Sequence, residues 1–141
     1  MDFEHSARTQ ELLERLTSFQ ERELEPREED YHRELLARAD PWVVLPVIEE
    51  LKERAEGEGL WNLFLPPDTE VSGRPCGAGL SNVEYAPLAE RMGRSLIASE
   101  VFNCNAPDTG NMELLLHFGS DEQRERWLVP YSTGVSARRF A

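Results

Sequence analysis

Three histidines, two cysteines and 27 acidic side chains are the groups in this sequence that could do chemistry unaided. Glu29 to His32 reads E-D-Y-H, the E-x-x-H spacing that sets a carboxylate and an imidazole on one helical face in di-iron carboxylate bundles. Such a centre needs a second E-x-x-H helix and two further glutamates. Asp2 to His5, D-F-E-H, is the only approximate partner, and it stands at the terminus. The expectation is therefore a surface histidine beside acidic neighbours, with no metal site. His117 follows Glu113 by four and is expected at a helix C-terminus, where a partly charged imidazole is favourable. Cys76 and Cys104 lie 28 apart in unrelated contexts, without C-x-x-C spacing. That predicts neither a disulfide framework nor a zinc site, but two free thiols in a reducing cytoplasm. G-x-G-x-x-G, P-loop and G-x-S-x-G patterns are absent, and a Ser-His-Asp triad cannot be read from three scattered histidines. No residue is assigned a catalytic role.

One further stretch could approach a ligand. Residues 101–112, V-F-N-C-N-A-P-D-T-G-N-M, mix aromatic and apolar residues with short polar side chains and with the small residues Cys104, Ala106 and Gly110. Small residues let a backbone come close to a bound molecule. Taken alone, this is an ordinary connection between helices, with Asp108 or Thr109 capping the one that follows.

The elements that must position this connection read as about six helices. Leu12, Leu13, Leu16 and Phe19 share one face of a helix over Thr9–Leu24, capped by Ser6 and stopped near Pro26. Tyr31, Leu35 and Ala39 make a stripe on Glu28–Ala39, which Asp40-Pro41 ends. A third helix begins at Pro46, carries Val47, Ile48, Leu51 and Ala55, and stops at Gly57 and Gly59. L-W-N-L-F-L-P-P, residues 60–67, is expected to lie extended across the helices, anchored by Trp61 and Phe64, before a Gly/Pro loop over 68–80. Ser81 with Glu84 has the form of a capping box for a helix from Asn82 to Ala98, whose face is Tyr85, Leu88, Ala89, Met92 and Leu96. Pro87 costs something inside it, and Gly93 suggests close approach by a neighbouring helix. Helix five carries Met112, Leu115, Leu116 and nearby Phe118. Gly119 is placed where a helix end wants positive φ. Ser120 with Gln123 caps helix six, from Asp121 to about Val129. No convincing strand is found, so the fold class is all-α, as a helical bundle with no β domain.

A chain of 141 residues with 40% hydrophobic content supports one globular domain. Its net charge of −12 argues against nucleic acid and against an anionic membrane surface. Residues 1–60 hold 17 acidic and eight basic side chains, which reads as a solvated helical face. The opening M-D-F-E-H-S predicts no signal peptide, and no apolar run is long enough to span a bilayer. The expected location is cytoplasmic.

Three stretches carry a resemblance: G-L-S-N-V-E-Y-A-P-L-A-E-R-M-G-R, then A-P-D-T-G-N-M-E-L-L, then F-G-S-D-E-Q-R-E-R-W-L-V-P. In order and spacing they are similar to the N-terminal α-helical domain of acyl-CoA dehydrogenases, nearest to the subgroup that acts on long acyl chains in animals. The resemblance implies a helical domain over 1–130 and a divergent, disordered tail over 131–141. It implies an enzyme that desaturates an acyl-CoA thioester between its α and β carbons with a glutamate base and FAD. The segments that carry the base and most flavin contacts in the family have no counterpart here. After W-L-V-P the family continues with an apolar pair, a glycine and a strand ending in M-T-E-P, whereas this chain continues Y-S-T-G-V-S-A-R-R-F-A. The implied reading is a truncated or frameshifted fragment, inactive alone and binding no FAD by itself. In the family the 101–112 connection closes the deep end of the acyl-chain tunnel. Asn105, Asp108 and Met112 are thereby implied as substrate-binding residues, Met112 as an apolar wall and Asp108 first of all as a helix cap. A severed domain would expose its former interface. Trp61, Phe64, Phe102 and Met112 are expected there, with marginal stability or self-association. The competing expectation is an acidic all-α interaction module, or a subunit completed by another chain.

Overall fold

The structure, a computed structural model, describes residues 4–132 apart from 41, 42, 68 and 72. Asp2 and residues 133–141 of the expected tail lie outside the described residues. Tyr131 and Ser132, its first two residues, belong to a helix. The class is all-α, and the only strands among the described residues are a two-residue antiparallel pair, β1 (Glu70–Val71) and β2 (Arg74–Pro75).

Ala7–Phe19 (α1), a π-helical segment Gln20–Leu24 and Glu25–Ala37 (α2) form one continuous helix. Ser6 caps its start, its hydroxyl accepting from the Thr9 N–H at 3.2 Å. Two helices separated at Pro26 were the sequence expectation. Pro26 instead lies within the helix, because the Glu25 N–H donates to the Gln20 carbonyl five residues back. A proline in an α ladder lacks one hydrogen bond and its ring meets the carbonyl four residues earlier. The wider π turn makes room for that ring. The device recurs at the other end. In Arg124–Leu128, also π-helical, the Val129 N–H donates to the Arg124 carbonyl, and Pro130 follows.

Pro46–Gly57 (α3) starts on its proline as expected, and Gly59 turns the chain away with φ +69°. Residues 60–67 are not extended. They turn tightly, with Asn62 left-handed at φ 54°. Gly77 is glycine of necessity: at φ +82°, an added Cβ would stand 2.5 Å from the Asn62 carbonyl oxygen.

Asn82–Met92 (α4) opens on the predicted capping box, with Ser81 and Glu84 bonded reciprocally. It ends six residues earlier than expected. Gly93 is its exposed C-cap and touches no neighbouring helix, and Leu96 is 84% exposed. Turns then lead to a short helix, Ala98–Val101 (α5). Asp108–Phe118 (α6) follows, with Asp108 as its first residue. Its N-cap position is held by Pro107 without a side-chain bond, so neither Asp108 nor Thr109 caps it. Gly119 is extended rather than left-handed. Its glycine is required because a Cβ would fall 2.5 Å from the Leu115 carbonyl. The second predicted capping box, Ser120 with Gln123, opens Asp121–Gln123 (α7), which runs through the π segment into Val129–Ser132 (α8).

The main core gathers Leu16, Phe19 and Leu24 with Ile48 and Leu51 of α3, Leu88 and Met92 of α4, and Val101 and Phe102 after them. Phe19 and Phe102 meet edge to face at 5.4 Å. A smaller cluster joins Val71, Met112 and Leu128. The expected exposed interface is therefore corrected. Phe102 and Met112 are fully buried, Trp61 is buried and Phe64 half-buried. The unit closes these side chains into its own core. The large apolar side chains left outside include Leu114, Phe118 and Trp127.

Candidate functional site

The 101–112 connection is held from both ends. Short helix α5 delivers Phe102 into the core, and Asn103 then turns left-handed at φ 54°. Asn105 is half-buried, and its carbonyl accepts the Thr109 N–H at 3.1 Å, which starts the first turn of α6. The Ala106–Pro107 peptide is cis. Asp108 and Met112 are four apart and so share a helical face. Asp108 is half-buried, whereas Met112 is enclosed among Val71, Leu128 and their neighbours. The three residues thus lie along one continuous run, with Met112 the innermost.

Two polar groupings that the sequence reading did not single out surround this run. The first is built on paired asparagines. Asn103 Nδ2 donates to Asn62 Oδ1 at 2.7 Å and to the Tyr131 carbonyl at 3.3 Å. Asn62 Nδ2 and Trp61 Nε1 both donate to the Ser132 carbonyl, at 2.9 and 3.1 Å. The same Asn103 amide lies 4.0 Å from Met112 Sδ. The second is centred on Lys52, the only lysine in the chain. Its ammonium donates to Glu49 at 3.1 Å and to Glu100 at 3.0 Å, tying α3 to α5. Asp108 lies within electrostatic reach. Burial raises its carboxyl above the ordinary value, Lys52 opposes that, and Glu100 adds to it. A lone lysine in a chain otherwise rich in arginine was a usable signal for this site. The asparagines carried none, because the oxygens their side chains bond to are 28 to 70 residues away.

Cys104 is held beside Tyr85, and burial pushes its thiol up to about 11. Burial also raises Cys76 and Tyr85. These thiols are therefore poor nucleophiles at neutral pH. Glu29 pairs with Arg33 at 3.1 Å on an exposed face, and the His32 ring lies edge-on to Tyr31. His117 occupies the last turn of α6, as expected. Among the described residues no three His, Cys, Asp or Glu side chains converge as metal ligands. A cleft of about 580 Å³ lies between the starts of α1 and α4, lined in part by Glu4, Glu84, Glu90, Val83 and Pro87. None of the residues lining it belongs to the 101–112 connection.

This helical arrangement is shared with proteins of known family. Residues 6–135 match the profile of the acyl-CoA dehydrogenase N-terminal domain. The chain belongs to the acyl-CoA dehydrogenase family, as its helical N-terminal domain. It is 54% identical over 136 residues to acyl-CoA dehydrogenase family member 10 of Mus musculus, covering 96% of this chain and 12% of that protein. It is 45% identical over 144 aligned residues to FadE2 of Mycobacterium tuberculosis, assigned as an acyl-CoA dehydrogenase, covering 100% of this chain and 33% of that protein. A solved structure from Mycobacterium abscessus, assigned to the same enzymes, superimposes with a TM-score of 0.81 at 50% identity, covering 94% of this chain and 33% of that one. The chain thus spans an eighth to a third of the length of these relatives. No helix among the described residues is long and apolar enough to cross a membrane.

Proposed function

We propose that this chain is the N-terminal helical part of an FAD-dependent acyl-CoA dehydrogenase, and that it supplies one wall of the acyl-chain pocket and is inactive alone. The observation that carries the reading is the agreement of profile and fold over nearly the whole chain, at a third or less of the relatives' length. Asn105, Asp108 and Met112 are the proposed substrate-binding residues. Asn105 and Asp108 are half-buried along one run, and Met112, enclosed in the smaller core, would be the apolar wall behind them. The resemblance to the long-chain subgroup makes a long acyl-CoA the first substrate to try. The helical unit is proposed to end near residue 130, and a location in the cytoplasm accords with the free thiols.

FAD is not assigned to these residues. A flavin dinucleotide needs donors or cations for its pyrophosphate, and the cleft of about 580 Å³ presents Glu4, Glu84 and Glu90 instead. A completed protein would cover Leu114 and Phe118, which are 59% and 81% exposed on one face of α6. In their present state these side chains are proposed to drive self-association of the chain.

Complementation tests the reading. The chain is mixed with the downstream β and C-terminal helical segments of a relative such as FadE2, and visible flavin absorbance and acyl-CoA oxidation are measured. The chain alone is expected to show neither, and the mixture to recover bound flavin. Stoichiometric flavin and turnover by the chain alone, or no flavin in a stable complex, would refute it.

A further inference from the structure

The carbonyls of Tyr131 and Ser132, at the end of α8, accept side-chain N–H groups from two distant loops rather than helical partners among the described residues. Trp61 and Asn62 supply donors to Ser132, and Asn103 supplies one to Tyr131. The two asparagines also bond each other at 2.7 Å, and the Asn62 backbone N–H donates to the Phe102 carbonyl at 3.2 Å. Both are buried and both hold φ 54°. That conformation is unfavourable for residues with a Cβ, and asparagine is among the few that visit it. Two buried asparagines, each left-handed and each fully used as a donor, form a connected unit in which loss of one member leaves the others unpaired.

We propose that Asn62 and Asn103 are positioning residues that clasp the turn over 101–105 and the chain at Tyr131–Ser132 into one rigid body. Through the contact between Asn103 and Met112 Sδ, the clasp sets where the run from Asn105 to Met112 lies relative to the helix end at Tyr131–Ser132. The two move together or not at all. This coupling goes beyond the acyl-pocket reading and stands whether or not that reading holds.

The test uses the whole chain and Asn103→Asp. Aspartate keeps the size and tolerates left-handed φ, but it replaces the donating amide nitrogen with an oxygen that faces the Asn62 Oδ1 and Tyr131 carbonyl acceptors. Hydrogen exchange at amides 101–105 and at the amides of Val129, Tyr131 and Ser132 is expected to accelerate together, by roughly ten- to a hundredfold. The Trp61 indole N–H resonance is expected to shift as well, although Trp61 makes no hydrogen bond to Asn103. Acceleration confined to 101–105, with the indole and residues 129–132 still protected, would overturn the proposal. Should Asn103→Asp fail to fold, Trp61→Phe removes a single donor and keeps most of the apolar bulk. It is then expected to speed exchange at the Asn103 and Cys104 amides and to move the Met112 methyl resonance. Unchanged exchange and an unmoved methyl would overturn the proposal equally.

Discussion

Asp108 shows how far a residue's role depends on surroundings that the sequence does not display. Its place after Ala106-Pro107 suggests a cap, but Pro107 occupies the cap position and Asp108 becomes the first helical residue. There it is half-buried, and burial, partly offset by Lys52, raises its carboxyl above the ordinary 3.8. A carboxyl raised on folding binds its proton more tightly in the folded state. Stability then falls as pH climbs from 3.8 through the folded value, and the cost is fully present at neutral pH. Asp108→Asn is accordingly expected to be more stable than the parent at pH 7 and equal to it at pH 3, by urea midpoints. An acid at the first helical position also gains about 0.3–1 kcal/mol from the helix dipole, which offsets part of the gain. Lower stability of the variant at pH 7 would show that the dipole outweighs burial.

At the scale of elements, the capping boxes at Ser81 and Ser120 were readable because every partner lies within three residues. Pro46 and Pro87 lie where the sequence placed them, whereas Pro26 and Pro130 do not. Pro26, Pro87 and Pro130 all lie inside helices, yet only two follow a π turn. Pro87 interrupts the ladder of α4 without one. Pro87→Ala is therefore expected to raise stability, by up to about 3 kcal/mol. Pro26→Ala should gain well under 1 kcal/mol by the same arithmetic, because the π turn has already relieved the ring clash. Thermal unfolding of the two variants checks this, and equal gains would mean that the π segment has another cause. The early end of α4 belongs here too. The apolar spacing of Leu96 continues the face of Leu88 and Met92, but turns after Gly93 leave Leu96 in solvent.

For the whole molecule, the face of α6 that carries Leu114 and Phe118 departs from a self-sufficient unit, with two large apolar side chains in solvent. Phe118→Ser with Leu114→Ser should reduce concentration-dependent association in sedimentation velocity while leaving helix content unchanged. Each residue is more than half exposed, so little folded-state packing is lost. Association that persists in the double variant would move the contact to another surface. The exposed-interface expectation named Trp61, Phe64, Phe102 and Met112 because hydrophobicity was the only guide. Burial separated them from Leu114 and Phe118, which look the same in one dimension.

The amino-acid order alone determined the all-α class, the caps at Ser6, Ser81 and Ser120 and the membership in a family, because each is written in local spacing or in runs of characteristic words. Tertiary structure alone decided that Asn62 and Asn103 meet, that Lys52 faces Glu100, and which aromatic rings are enclosed. Those outcomes depend on pairs of residues 41 to 71 positions apart. Contacts at such separations are set by how the helices pack, and no short-range pattern encodes them.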